Sequence, residues 1–330
     1  MHLLNSRFRR LPVALSLWYN RIASPTPAIV LALFVIISSC LFQACGSGSA
    51  AASTTASQST TSQSTTPQTA TPQGASPESA PVQDPAAQAY LPPPPAGYTW
   101  VPVPQLSDEF NETTLDTTKW LPSAVTGWPG QPPFQFDPNN VSVTSGGLAL
   151  ANTVSGPPSA TNWINAAFVS SLQPIATYGY YAASIKASDV SMTSSFWLQG
   201  TYSEIDVEEN VGASTLYPIS NRMVPNTHYF PNGWATDIAT PFFYTMPTGA
   251  ADGYATYSVW WKDENNIEFF YNGNSVATVT LPYNFDEPMY LYFNTGALSF
   301  FGFPTVASLS DPNLNKMNVQ WVRSWKLSPQ

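Results

Sequence analysis

Short apolar or alternating runs, separated by turn residues, recur along most of this 330-residue chain. They lie at 141–143, 148–150, 178–185, 195–198, 204–207, 257–261, 267–271, 276–281, 289–293 and 317–325. The runs lack the three-to-four-residue spacing of amphipathic helices, so the pattern predicts an antiparallel β-sandwich or barrel. Between two of the runs, Asn272-Gly273 predicts a tight hairpin turn.

The first 45 residues have the layout of a secretory signal. Four arginines precede an apolar run at 28–39, which leads into small residues and a cysteine. The only two cysteines, Cys40 and Cys45, each end a short stretch that resembles a bacterial lipobox. We favour Cys45 as the lipidated residue because Gly and Ser alternate directly after it, at 46–49. Cys40, or an uncleaved membrane anchor, is the alternative.

Residues 46–96 consist almost entirely of Ser, Thr, Gln, Ala and Pro. Such a segment cannot bury a core, so its composition predicts a disordered linker, and the folded domain is placed at 97–330. That domain has seven Lys/Arg against eighteen Asp/Glu, a net charge of −11. An acidic domain of this kind argues against nucleic acid as a partner. We expect a monomer.

The stretch 203–210 concentrates carboxylates in a chain of which only 9% of the residues are charged. Along a regular strand, alternate side chains would place Glu204, Asp206 and Glu208 on one face and the apolar residues between them in the core. Three like charges so close cannot all ionise easily, so one pKa should rise. A protonated acid beside an ionised carboxylate is the pair that retaining glycosidases use. A calcium site or an exposed acidic edge is the alternative.

A β-bulge would change which carboxylates share that face. One extra residue after Val207 would bring Glu209 onto the acidic face and turn Glu208 away from it. The spacing alone leaves both registers open.

The run Ser195-Phe196-Trp197-Leu198, followed by the acidic stretch and Gly212, resembles the motif of glycoside hydrolase family 16. Further similarities lie at 106–111, 115–116, 119–120, 178–181 and 185–188, and those at 226–228, 288–291, 302–305 and 319–326 resemble the β-agarase and porphyranase branch. The resemblance implies a β-jelly roll of two antiparallel sheets with an open concave cleft. It also implies endo-hydrolysis of a β-linked polysaccharide with retention of configuration.

The resemblance further implies roles for individual residues. Glu204 would be the nucleophile, Glu209 the general acid and then base, and Asp206 the carboxylate that tunes the nucleophile. The branch uses the bulged form of the motif, which favours Glu209 over Glu208. Substrate binding is expected from Trp128, Trp197, Arg222 and His228.

Two departures from the branch concern substrate contacts. Agarases usually have a substrate-contacting Glu in the segment that corresponds to 294–298, and this chain has no Glu there. Where agarases have Gly-Arg-Pro, this chain has Gly130-Gln131-Pro132. Agarose, porphyran and β-glucans therefore all remain candidate substrates. A cell-surface glycan-binding module without turnover is the alternative function. We expect no cofactor for catalysis, and a structural calcium ion stays open.

Overall fold

The computed structural model of this protein describes residues 90–158 and 161–330. The predicted signal segment, both cysteines and the predicted linker up to residue 89 lie outside the described residues. Within the described part of the chain, no helix combines the length and the apolar character needed to cross a membrane.

Strands make up almost all of the regular structure in these residues. They are β1 (Tyr98–Pro102), β2 (Trp120–Leu121), β3 (Phe134–Phe136), β4 (Val141–Thr144), β5 (Gly147–Ala151), β6 (Thr153–Val154), β7 (Ile164–Ala166), β8 (Phe168–Ser171), β9 (Gly179–Lys186), β10 (Thr193–Gln199), β11 (Ser203–Val211), β12 (Arg222–Met223), β13 (Asn226–Tyr229), β14 (Pro231–Trp234), β15 (Ile238–Ala239), β16 (Tyr244–Thr245), β17 (Ala255–Trp261), β18 (Asn266–Tyr271), β19 (Asn274–Thr280), β20 (Tyr290–Gly296) and β21 (Lys316–Pro329). A short helix, α1 (Val306–Ser310), is capped by Thr305. Three 3-10 turns lie at Pro104–Leu106, Pro138–Asn140 and Ser299–Phe301.

Two large antiparallel sheets face each other. The sheet that we call the outer sheet has the order β19-β18-β17-β9-β21-β5-β4, and β1 pairs with β21 at its margin. The other, the cleft sheet, has the order β15-β13-β11-β10-β20-β8-β2. The predicted two-sheet jelly-roll sandwich is therefore confirmed.

The main core lies between these sheets and follows from the alternation of side chains along each strand. Phe196 and Leu198 of β10 point inward, as do Ile205 and Val207 of β11, and all four are fully buried. The ring of Phe196 stacks on that of Phe293 with centroids 5.0 Å apart. Each such side chain stabilises the fold by about 1.5–3 kcal/mol. The intervening residues of β10 and β11 therefore point to the opposite face of the cleft sheet.

The predicted hairpin turn is also confirmed. Asn272 and Gly273 connect β18 and β19 with φ angles of 48° and 76°. Both values lie in the left-handed region, as a type I′ turn requires, and Asn and Gly are the residues that tolerate it.

The outer sheet carries an aromatic cluster on the face that points away from the core. Its buried members are Tyr180, Ala182, Phe270 and Trp325. Leu91 packs against this cluster, and Trp100 Nε1 donates a hydrogen bond of 2.7 Å to the carbonyl of Pro92. The hydroxyl of Tyr180 donates to the carbonyl of Tyr90 at 3.0 Å. Residues 90–96, which the sequence placed in the linker, thus begin the packed domain.

Candidate active site

A β-bulge decides which carboxylates enter the cleft. The deciding Cα pairs between β10 and β11 are Trp197 with Asp206, Phe196 with Glu208 and Ser195 with Glu209. Val207 is left over between the first two pairs as the extra residue of the bulge. Because directly paired residues point to the same face, Glu208 lies on the core side with Phe196. Asp206 and Glu209 lie on the cleft side.

Three carboxylates meet at the bottom of the cleft. Glu204, Asp206 and Glu209 line one narrow cavity of about 30 Å³. The other lining residues are Trp128, Phe134, Thr193, Trp197, Asn294, Gly296 and Leu298. Acidic groups thus stand between flat aromatic side chains, which is the surface that a pyranose ring requires.

Glu204 is held by its cross-strand partner. Gln199 pairs with it across the β10–β11 hairpin, and the side-chain amide of Gln199 donates a hydrogen bond to its carboxylate. Burial raises the pKa of Glu204 well above its usual value, and the neighbouring charge of Asp206 raises it further. The nearby His228 and the Gln199 hydrogen bond oppose this shift because both favour the ionised form.

Glu209 has the environment of a protonated acid. Burial, followed by the charge of Asp206, raises the pKa of Glu209 to about 8, although His228 opposes the shift. Glu208 differs from Glu209 in position. Glu208 is fully buried on the core side, and neither of its carboxylate oxygens has a hydrogen-bond partner. Burial, followed by the charge of Glu209, raises the pKa of Glu208 well above its usual value.

His228 pairs with Glu204 across β11 and β13, so it lies beside the carboxylates on the same face of the sheet but below the surface of the cleft. It is 0% exposed, and its Nδ1 lies 2.7 Å from Asp237 Oδ1. Its Nε2 lies 3.2 Å from Asp206 Oδ2 and 2.7 Å from Asn226 Nδ2. Burial would lower the pKa of His228, but hydrogen bonds with Asp206 and Asp237 raise it well above its usual value. The expected sugar contact of His228 is therefore replaced by contacts with carboxylates.

Comparison with known proteins places this geometry in a family. Residues 100–327 match the model of the β-porphyranase A–D, GH16 domain. The chain belongs to glycoside hydrolase family 16. β-Porphyranase E of Zobellia galactanivorans is 32% identical over 262 residues, which cover 71% of this chain and 91% of that protein. An extracellular agarase of Streptomyces coelicolor is 26% identical over 265 residues, covering 69% of this chain and 84% of that protein.

A solved structure agrees with this membership. The crystal structure of a β-porphyranase from the human gut bacterium Bacteroides plebeius superposes with a TM-score of 0.68 at 29% identity. The match covers 74% of this chain and 98% of that one. This chain is a glycoside hydrolase, and the jelly roll expected from its motifs is the fold of the family.

The two predicted tryptophans lie at the family 16 cleft. Trp197 is 6% exposed, and its Nε1 donates a hydrogen bond of 2.7 Å to Asn294 Oδ1. Trp128 lines the same cavity and meets Phe136 edge to face, with centroids 4.9 Å apart. Their contact with sugar stays a prediction, since no ligand decides it.

Arg222 is placed differently from the expectation. It lies on β12, which pairs with β16 in a small separate sheet, and its guanidinium donates a hydrogen bond to Thr245. It does not line the cavity that holds the three carboxylates. The structure therefore gives its predicted sugar contact no support.

Glu287 is a residue of this family 16 site that the sequence analysis missed. Its carboxylate accepts hydrogen bonds from the backbone N–H groups of Thr201, Tyr202 and Ser203 at 2.7–2.9 Å. The Ser203 hydroxyl donates to it as well, at 2.7 Å. Successive N–H groups on one carboxylate fix the turn between β10 and β11. Glu287 therefore holds the ends of the two strands that carry the cleft carboxylates.

Gly212 in the family motif has a steric reason. It follows β11 directly, and a Cβ at this position would lie 2.1 Å from the carbonyl oxygen of Ser188. Any larger residue would push the end of β11 away from the backbone at Ser188.

One acidic cluster in the described residues has the composition of a metal site. Ligand atoms of Glu204, Asp206 and His228 lie within 4.8 Å of one another. Both ring nitrogens of His228 already contact other side chains, and calcium takes oxygen ligands rather than imidazole. The cluster is therefore better suited to holding protons than a cation, and structural calcium stays a prediction.

Proposed function

We propose that this chain is a retaining endo-hydrolase of red-algal galactans of the porphyran and agarose class. The observation that carries the proposal is the placement of Glu204, Asp206 and Glu209 on one cleft face by a single bulged strand. The match to the β-porphyranase domain and the porphyranases among its relatives support the choice of galactan over β-glucan.

Glu204 is the nucleophile in this mechanism. The Gln199 hydrogen bond and the nearby imidazolium of His228 favour the ionised form that attack on the anomeric carbon requires. Attack forms a covalent glycosyl-enzyme and breaks the bond to the leaving sugar. Water then hydrolyses the intermediate, and two inversions restore the original configuration.

Glu209 is the general acid and then the general base. It donates its proton to the glycosidic oxygen as the bond breaks and afterwards takes one from the attacking water. A pKa raised to about 8 keeps Glu209 protonated at neutral pH in the free enzyme.

Asp206 and His228 adjust the charge between these two carboxylates. Asp206 raises the pKa of both Glu204 and Glu209, which favours one proton being shared between them. A protonated His228 balances Asp206 from the neighbouring strand β13, and Asp237 fixes the orientation of its ring. Asp206 and His228 therefore act through the two glutamates.

A reducing-sugar assay of the full-length protein tests the proposed function. Porphyran and agarose are compared with a β-1,3-glucan and a mixed-linkage β-glucan. We expect new reducing ends from at least one of the two galactans and a rapid fall in polymer size, as internal cleavage requires. Cleavage of the glucans alone would refute the galactan assignment. Binding of a galactan without cleavage would support a binding module instead.

The raised pKa of Glu209 predicts the alkaline limit of activity. The acid must be protonated before the first step, so kcat/KM should fall about tenfold per pH unit above its pKa of about 8. In a Glu209→Gln variant this alkaline fall should disappear, because the titrating group is gone. Initial rates on a soluble substrate between pH 5 and pH 10 measure both profiles. An alkaline limb that persists in the variant would assign the titration to another group.

We also infer that the protein is extracellular and lipid-anchored through Cys45. An extracellular agarase among the relatives supports export, and the basic start, apolar run and small residues before the cysteine support lipidation. Cys45→Ser should move the protein from the membrane fraction to the soluble fraction, as measured by cell fractionation and metabolic labelling with a fatty acid. Cys40→Ser is the matched control and should leave the protein anchored. Release by Cys40→Ser alone would assign the other cysteine, and release by neither would refute the lipoprotein.

A further inference from the structure

A second and larger cavity adjoins the carboxylate site on the cleft face. Its volume is about 480 Å³. The lining residues are Thr126, Pro174, Gln199, Gly200, Thr201, Trp234, Glu287, Pro288, Tyr290 and Tyr292. We call it the Trp234 cavity. The mechanism above uses none of its side chains except Gln199, which holds the nucleophile.

The Trp234 cavity is linked to the carboxylate site by one hydrogen bond and one ring contact. Gln199 lines it and donates to Glu204, and Tyr292 lies 4.6 Å from Trp197, ring centroid to ring centroid. Tyr290 pairs with Gln199 across β10 and β20, so its side chain points to the same cleft face. The Trp234 cavity and the carboxylate site are therefore neighbours on the same face of the cleft sheet, close enough for one oligosaccharide to occupy both.

The walls of the cavity suit a pyranose ring. Trp234 packs on Phe230 with centroids 4.2 Å apart, which fixes the indole without hiding it from the cavity. Tyr290 and Tyr292 also line the cavity, and their rings stack with centroids 5.9 Å apart. A volume of this size is in the range of sites that enclose a small ligand. The flat indole provides the apolar surface on which a sugar face can lie.

The charge of the cavity restricts which sugar it can take. None of its lining residues in the described part of the chain is Lys, Arg or His. Glu287 contributes a carboxylate whose place is fixed by three backbone N–H groups, and Glu204 lies just beyond Gln199. A sulfate ester here would meet carboxylates with no cation beside it, and like charges close together repel.

We propose that the Trp234 cavity is a specificity subsite for an unsulfated pyranose unit, stacked on Trp234. The inference rests on the proposed galactan hydrolysis and names the unit that the chain must present next to the cleavage point. Sulfate esters of a polymer such as porphyran are then accepted only at positions of the cleft outside this cavity.

Calorimetry with the full-length Glu204→Gln protein tests the subsite without turnover. The probes are an unsulfated agarose hexasaccharide and the same hexasaccharide sulfated on all its units. Adding Trp234→Ala should weaken binding of the agarose probe about tenfold, because the stacking surface is lost. Adding Thr126→Trp, at another exposed position that lines the cavity, should weaken it similarly by filling the cavity. Tyr98→Ala, which removes an aromatic side chain that is 42% exposed at the outer sheet, is the matched control and should change nothing.

The outcomes separate the subsite from the proposed function. Unchanged binding in both Trp234→Ala and Thr126→Trp would overturn the subsite, even if the wild-type protein cleaves galactan. Sulfating the agarose probe on all its units should weaken binding at least about tenfold, and equal affinity would overturn the preference for an unsulfated unit. A wild-type protein that cleaves neither galactan would refute the proposed function instead, whatever the hexasaccharides do.

Discussion

Replacing Glu204 by alanine should lower turnover of the galactan substrate roughly 10⁴-fold or more, since the variant lacks the carboxylate that is proposed to form the glycosyl-enzyme. Binding of oligosaccharide should change little, because Trp128, Trp197 and the Trp234 cavity remain in place. Initial rates and calorimetry on the same preparation measure the two effects. A loss of binding as large as the loss of turnover would show that Glu204 serves recognition instead.

The missing carboxylate leaves room for a small anion, and this gives the variant a second readout. Azide or formate should partly restore cleavage of an activated glycoside by Glu204→Ala. The anion attacks from the side of the lost carboxylate and is not displaced afterwards, so the product should have the inverted configuration. Asp206→Ala is the matched comparison, and it should yield no inverted product.

The stereochemistry of the wild-type reaction tests the same assignment independently. NMR of the first product anomer should show the original β configuration before mutarotation. An inverted first anomer from the wild-type protein would exclude a covalent intermediate on Glu204.

Replacing Glu209 by glutamine should cost about 10²–10⁴-fold in kcat/KM on the natural polymer, which is the usual contribution of a general acid. The loss should be much smaller on a glycoside whose leaving group needs no protonation. Glu208→Gln, one residue earlier, should keep nearly full activity, because Glu208 lies on the core side with no partner to lose. The opposite ranking of the two variants would mean that β11 has no bulge in solution.

Glu208 and Glu209 show where sequence reasoning reached its limit. Alternation placed three carboxylates on one face but left two registers, and the choice of Glu209 depended on a resemblance. The deciding fact is the pairing of Glu208 with Phe196, whose side chain belongs to the core. A bulge is a property of two paired strands, so one strand's sequence does not determine it.

His228 and Glu287 show a second limit of sequence reasoning, which comes from contacts between residues that are not neighbours in the sequence. The sequence found His228 but not its burial, which depends on Asp237 and on the edge strand β15, which pairs with β13 at His228. Glu287 lies 84 residues beyond Ser203, and nothing local links it to the turn that it holds. The long β-strands were predicted well, with ends within one residue in β9 and β18 and within two in β17, because alternation and turn residues are local signals. Two-residue strands such as β2 and β15 carry too few side chains to show a period.

The docking of residues 90–95 on the outer sheet determines where the preceding chain joins the domain. The described chain begins at Tyr90, on the aromatic cluster that lies across the sandwich from the cleft. If Cys45 holds the protein to a membrane, the attachment joins the domain on the side away from the cleft and leaves the cleft open to the surroundings. An insoluble gel or cell wall, which cannot diffuse to an enzyme, can then be cleaved where it touches the cell. The products would be released beside the cell that made the enzyme.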